Sequence, residues 1–251
     1  MPARLTSQRL PGKVLADIAG KPMLRHVLER CAGVQGVAAL LVCSDSHQVL
    51  EAVRSWRFQA MATVATCGSG SERIASVIDA LVRAGGAPPG NTLVINVQAD
   101  QPLLDPGILE TMIALATRPD RDSPSVLTPV YQLSPARIHD PNVVKVVRTV
   151  TGRAVMFSRS ALPHVRDVPP DRWHTYTTYW GHVGIYGYRA DVLVSWPDLP
   201  VSPLEQLEKL EQLRLLEAGI PITTFEVAGD CGSVDTEEQL IRVRRQLGSQ
   251  L

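Results

Sequence analysis

The sequence predicts an α/β fold: a Rossmann-like, mostly parallel sheet flanked by helices, with a smaller β-rich part attached. Three observations predict it. Helix-periodic and continuously apolar segments alternate between residues 22 and 97, the pattern turns β-rich after Pro124, and a helix, strand and helix close the chain.

Met23, Leu24, Val27, Leu28 and Cys31 recur at helical spacing, and residues 37–43 form a continuous apolar run of the kind found in buried strands. Val49, Leu50 and Val53 mark a second helix, and residues 58–64 a second strand. Ile74, Val77, Ile78, Leu81 and Val82 mark a third helix, followed by a strand over 93–97. Strands separated by helices imply parallel pairing, and right-handed crossovers bring the loops after those strands to one crevice where ligands collect.

Beyond Pro124, residues 126–131, 143–148 and 154–158 read as strands, the last two joined by a turn at Thr151-Gly152. Residues 159–179, rich in Pro, Asp, His and aromatic side chains, read as a long loop before a strand over 181–188. Ser202-Pro203-Leu204-Glu205 is a capping box with proline at the first helical position, opening a helix that runs to Gly219. A strand over 222–227 and a helix starting near Asp235, with Leu240, Val243 and Leu247 on one face, complete the chain. No apolar strand precedes Pro2-Ala3-Arg4, although a phosphate-binding loop in this architecture normally follows one. A missing first strand, through an upstream start codon or a truncation, is the expectation.

With 45% hydrophobic and 20% charged residues, the composition is that of an ordinary globular protein and excludes a disordered chain. Twenty-five basic residues balance 25 acidic ones, so neither a broad nucleic-acid surface nor a membrane-binding charge excess is present. Local basic motifs can still bind an anion. Cys31, Cys43, Cys67 and Cys231 are scattered without metal or redox spacing and read as buried thiols. Neither a signal peptide nor an apolar run near the roughly 20 residues of a membrane span is present, which predicts a soluble, cytoplasmic protein.

Three segments carry candidate chemistry. In residues 2–13, Arg4, Arg9 and Lys13 cluster in a turn-forming stretch ahead of a helix, where guanidinium forks, an ammonium and backbone amides suit a triphosphate; a plain basic surface loop has the same composition. It is not a Walker loop, since GxxxxGK[ST] is absent. In Asn96-Val97-Gln98-Ala99-Asp100-Gln101-Pro102 a strand delivers Asp100 at its carboxyl end, where an acid can hold magnesium or simply close a turn. Asp235 is a second such acid, or the cap of the last helix. Ser69 to Arg73 is a small turn opening a helix. His182 lies among glycines in a strand, and Glu205, Glu208 and Glu211 repeat every three residues, the usual mark of a solvated helix face.

Taken in order, PARLTSQRLPGK, GKPMLRHVLER, SGSER, NVQADQP, DPNVVKVV, MFSRSALP, HVGIYGYR, SPLEQLEKLEQLR and SVDTEEQL resemble the 3-deoxy-manno-octulosonate cytidylyltransferase (CMP-Kdo synthetase) family nearly end to end. The resemblance implies a nucleotide-diphospho-sugar transferase fold in one nucleotidyltransferase domain, residues 1–251. Within it, 1–125 and 220–251 would form the nucleotide-binding core, and 126–219 the sugar-binding and dimerisation part. It implies transfer of CMP from CTP to the sugar acid Kdo, with magnesium as cofactor, pyrophosphate as second product, and a homodimer serving surface polysaccharide or lipopolysaccharide synthesis. By the same resemblance Arg4, Arg9 and Lys13 meet the triphosphate, Asp100 and Asp235 the magnesium, and Ser71 and Arg73 the nucleotide. Lys13, Asp100 and Asp235 are the implied catalytic residues. Gln98, His182, Tyr186 and Glu211 face the sugar, with Gln212 as a neighbour. The family usually carries Gly and Glu where this chain has Ala99 and Gln101. Rival readings are an enzyme for another acid sugar, 8-amino or sialic-acid-like, and a non-catalytic nucleotide-binding relative. A metal-dependent glycosyltransferase would call for Asp-x-Asp, and Asp100 is followed by Gln101 and Pro102.

Overall fold

The computed structural model describes residues 1–7, 9–118 and 124–248, so Gln8 of the basic segment lies outside the described residues. The basic loop passes through a 3-10 turn, Lys13–Leu15, into a small antiparallel pair, β1 (Asp17–Ile18) and β2 (Lys21–Pro22). α1 (Met23–Ala32) then buries the five apolar residues that predict it. β3 (Leu41–Ser44) pairs in parallel with β4 (Gln59–Ala62) across α2 (His47–Ser55), whose first turn is capped by the Ser46 hydroxyl. Of the apolar run at 37–43 only the last part enters the strand, because β4 begins opposite Leu41 and 37–40 have no partner strand.

The single helix expected around 74–82 is two, α3 (Gly70–Ala75) and α4 (Ile78–Gly85). Ser76 Oγ bonds back to the Arg73 carbonyl at 2.8 Å and Val77 leaves helical geometry, a local competition typical of serine. β5 (Leu93–Asn96) leads to α5 (Pro106–Ala116), a helix not foreseen although Asp105 caps it and Pro106 opens it.

β6 (Val126–Gln132), β7 (Lys145–Arg148) and β8 (Ala154–Ser158) follow, β7 and β8 forming the expected hairpin. The strand expected over 181–188 divides into β9 (Trp180–His182), which pairs with β6 and β7, and β10 (Tyr186–Arg189), which pairs with β5 and β6. Its break is a tight turn in which Ile185 N bonds to the Val183 carbonyl at 2.7 Å. After the short α6 (Ala190–Val194), the helix expected over 203–219 is also divided. α7 (Pro203–Glu208) and α8 (Gln212–Glu217) are separated by Lys209, which takes the left-handed conformation at φ 55°. β11 (Ile222–Glu226) and α9 (Glu237–Gly248) end the described chain.

The large sheet runs β5-β10-β6-β9-β7-β8, with β11 beside β6. Its pairing is mixed rather than mostly parallel: β6–β11 is parallel like β3–β4, and the other pairs are antiparallel because β9 and β10 fold back along β6. Strands from both halves of the sequence therefore share one sheet. Residues 1–3 run parallel to β3, with Cys43 N bonded to the Met1 carbonyl and Ala3 N to the Cys43 carbonyl, each at 2.9 Å. The basic loop thus leaves from a backbone anchored on β3. Behind the other edge of the site, Leu240, Val243 and Leu247 of α9 pack with Ile18, Met23 and Val234, fixing the neighbour of Asp235. Among the described residues no helix is long and apolar enough to cross a membrane.

Candidate active site

The basic loop and two acid-bearing loops meet at Lys13. Gly12, at φ 69°, takes a backbone conformation that side-chain-bearing residues rarely adopt, and this turn starts the 3-10 helix that presents Lys13 inward. Lys13 Nζ lies 2.5 Å from Asp100 Oδ2, 2.8 Å from Asp235 Oδ1 and 3.2 Å from the Val234 carbonyl. Asp100 follows β5, Asp235 precedes α9, and Val234 N bonds to the Asp100 carbonyl at 2.9 Å, so the two acid loops are stitched together directly. Arg9, the most exposed of the three cations, reaches the other oxygen of Asp235 at 3.1 Å. Arg4 donates to the Cys67 carbonyl at 2.5 Å, tying the loop to the segment ahead of α3.

Burial alone would lower the pKa of Lys13, but the charges and hydrogen bonds of Asp100 and Asp235 outweigh it and hold the ammonium above the usual lysine value. Burial raises Asp100, and Lys13 offsets only part of that. A carboxylate so placed gains from any further cation brought to it. Pro2, Arg4, Lys13, Gly70, Gln98 and Asp100 border a cavity of about 240 Å³. It shares Arg4, Thr6 and Ser7 with an adjoining cavity of about 1070 Å³ that extends along the basic loop.

Among the described residues there is no group of three or more His, Cys, Asp and Glu side chains arranged to hold a metal. Mg²⁺ does not require one. It takes one or two carboxylates, completing its shell with water and substrate phosphate oxygens, and the converging pair Asp100 and Asp235 fits that donor set. Of the two departures flanking Asp100, both side chains are buried, and Gln101 Oε1 has no hydrogen-bond partner among the described residues.

A second polar group lies one residue beyond Gly70. Ser71 N and Oγ donate to the two oxygens of Glu211 at 3.2 and 3.0 Å. Since a hydroxyl carries one proton, Ser71 Oγ must accept from Tyr188 OH at 2.8 Å and Asn96 Nδ2 at 3.3 Å. Tyr186 stacks on Tyr188 with ring centres 5.7 Å apart and donates to Gln212 Oε1 at 2.9 Å. Burial, reinforced by the Glu211 charge, raises both tyrosines well above the usual phenol value and keeps them neutral donors. His182 Nε2 lies 2.9 Å from Thr128 Oγ1, whose own proton goes to the Ile185 carbonyl at 2.8 Å, so Nε2 carries the imidazole proton. Burial pushes the pKa of His182 down to about 3. Asn96 Oδ1 and Gln212 Nε2, both buried, have no partner among the described residues and are the open polar atoms of this group.

The structure therefore brings Arg4, Arg9, Lys13, Gln98, Asp100 and Asp235 to one end and Ser71, His182, Tyr186, Glu211 and Gln212 to the other. Arg73 stands apart. It is fully buried, bonded to the Thr63 hydroxyl, the Val64 carbonyl at 3.4 Å and Asp45 at 3.3 Å, and so fastens the loops after β3 and β4. Asn96, Thr128 and Tyr188 were not singled out by sequence. Asn96 had a weaker signal, as the polar residue that ends the apolar strand β5 two residues before Gln98.

A cytidylyltransferase family model matches residues 1–227. A 3-deoxy-manno-octulosonate cytidylyltransferase of Nitrosococcus oceani is 40% identical over 257 residues, an alignment covering 100% of this chain and 96% of that protein. One from Escherichia coli is 40% identical with the same coverage. Among solved structures, a CMP:2-keto-3-deoxy-manno-octonic acid synthetase complexed with CTP superposes with a TM-score of 0.88 at 40% identity, over 100% of this chain and 97% of that one.

Proposed function

The chain belongs to the 3-deoxy-manno-octulosonate cytidylyltransferase family, and from that premise we propose that it transfers CMP from CTP to Kdo, forming CMP-Kdo and pyrophosphate. The observation that carries this reading is the convergence of Lys13, Asp100 and Asp235 beside Arg4, one residue away from a separate hydrogen-bonding group around Ser71 and Glu211. A charged end suited to phosphates adjoins a polar end suited to hydroxyls.

In the proposed reaction the anomeric hydroxyl of the sugar attacks the α-phosphate of CTP in line, a new O–P bond replacing the bond to pyrophosphate and the hydroxyl proton passing to solvent, without a covalent enzyme intermediate. Phosphoryl transfer of this kind depends on positioning and charge neutralisation. Lys13, Arg4 and Arg9 neutralise the triphosphate and the departing pyrophosphate. Mg²⁺, held by Asp100 and Asp235, supplies further positive charge to the phosphate oxygens when bound. Ser71 orients Glu211 to accept sugar hydroxyls, while Tyr186, Gln212 and Gln98 offer further hydrogen bonds, and neutral His182 leaves Nδ1 as an acceptor. Arg73 acts on the nucleotide pocket through the loops it fastens.

The same reading assigns the product to surface polysaccharide or lipopolysaccharide synthesis in the cytoplasm, and residues 126–219 to sugar binding and a homodimer. Of the eight exposed large apolar side chains among the described residues, six, Val150, Val155, Tyr176, Val194, Val201 and Leu207, fall within 126–219 and support an interface there, while Val64 and Ile241 lie outside it. Pyrophosphate release from CTP and Mg²⁺ tests the substrate with Kdo, its 8-amino analogue and a sialic acid in separate reactions. Release with Kdo in marked preference is the expected result; preference for another sugar would reassign the acceptor.

A further inference from the structure

The three glutamates at 205, 208 and 211 are all engaged rather than solvated. Glu205 pairs with Arg214 at 2.6 Å, and Glu211 meets Ser71. Glu208 grips the end of β8: its carboxylate accepts Ser158 Oγ at 2.6 Å and Arg159 N at 2.9 Å, and its carbonyl accepts Arg159 Nε at 2.8 Å. Arg159 is itself held from the opposite side. Lys145, only 1% exposed, donates Nζ to the carbonyls of Asp140, Val143 and Arg159, using three ammonium protons on three main-chain oxygens.

The residue after Glu208 is Lys209, at φ 55° and ψ 47°. That left-handed geometry is strained for a residue that carries a Cβ. Lys209 ends α7 and redirects the chain, so that Glu211 and Gln212 reach Ser71 and Tyr186. Its own side chain is exposed, leaving the bonds on either side of the turn to hold it. Leu210, buried with Leu213 and Leu215, secures the far side. The near side is Glu208.

We infer that Glu208 is a positioning residue of the sugar pocket: by clamping Ser158 and Arg159 it holds the left-handed turn at Lys209 that aims Glu211 and Gln212. The assignment of that pocket to the sugar rests on the function proposed above. Steady-state kinetics on Glu208→Ala should show the sugar KM raised about tenfold, with kcat and the CTP KM within about twofold of the parent. Ser158→Ala, which leaves the Arg159 bonds in place, should give the same pattern at about threefold. Adding Lys209→Gly to Glu208→Ala should return most of the lost sugar affinity, because glycine takes the left-handed turn without help. A second readout needs no substrate: amide exchange at Ser71, whose N–H bonds to Glu211, should speed up in Glu208→Ala and slow again in the double variant. Equal rises in both KM values, no rescue by glycine, or unchanged Ser71 exchange would overturn the clamp. An unmodified protein inactive toward Kdo would instead sink the sugar reading, and the exchange measurement would still decide the clamp.

Discussion

Asp100 and Asp235 illustrate what one residue read alone can and cannot convey. Each had a bland explanation in sequence, a turn or a cap, and only their meeting at Lys13 Nζ makes them a pair. A separation of 135 residues conceals that meeting from any local pattern. Asp100→Ala and Asp235→Ala should each abolish turnover while leaving the circular dichroism spectrum and the cooperative melt in place; ample turnover by either variant removes that residue from the scheme. The family resemblance assigned His182 to the sugar, but its neutral state was not legible, since its burial and its bond to Thr128 depend on how β9 and β6 pair. With a folded pKa of about 3 against an ordinary 6.5, the folded protein binds fewer protons than the unfolded chain between those values. The stability contributed by neutral His182 is therefore fully present above about pH 6.5 and is lost as pH falls towards 3. An NMR titration should find no His182 midpoint between pH 5 and 8, and a midpoint near 6.5 would contradict this assignment.

At the scale of elements, periodicity located most helices and strands and misjudged where they break. The breaks follow from interactions that apolar spacing does not encode: the Ser76 hydroxyl taking the Arg73 carbonyl, the tight turn at Val183–Ile185, and the left-handed Lys209. Those breaks matter for function, because the first sets α3 and the Ser71 turn apart from α4, the second separates His182 from Tyr186, and the third presents Glu211. Turn chemistry, by contrast, was legible. Gly152 sits at φ 87° between β7 and β8, and a Cβ there would approach the Thr224 carbonyl to 2.9 Å. Gly152→Ala should therefore destabilise the protein by about 2 kcal/mol or more, from left-handed strain plus displacement of β11. Urea unfolding measures this, and an unchanged midpoint would mean that the hairpin and β11 are not coupled through this contact.

For the whole molecule, alternating helices and strands correctly indicated an α/β architecture, and Asp100 lies in the loop that follows β5. Strand polarity was not legible: β8, β9 and β10 run opposite to β5, β6, β7 and β11, an arrangement set by tertiary packing rather than by local sequence. The phosphate-facing and hydroxyl-facing ends of the site are contributed by segments from the start, middle and end of the chain, so they form together only when the sheet is complete. If the exposed apolar side chains over 150–207 form a subunit interface, Val155→Asp should convert a sedimenting dimer to a monomer; a parent protein that sediments as a monomer would contradict the interface. The central claim is tested most directly by ³¹P NMR of the protein with CTP, Kdo and Mg²⁺. Conversion of the CTP resonances into one phosphodiester signal for CMP-Kdo and one for pyrophosphate is the predicted result. CTP left unchanged with Kdo present, or hydrolysed to free CMP without a sugar diester, would contradict it.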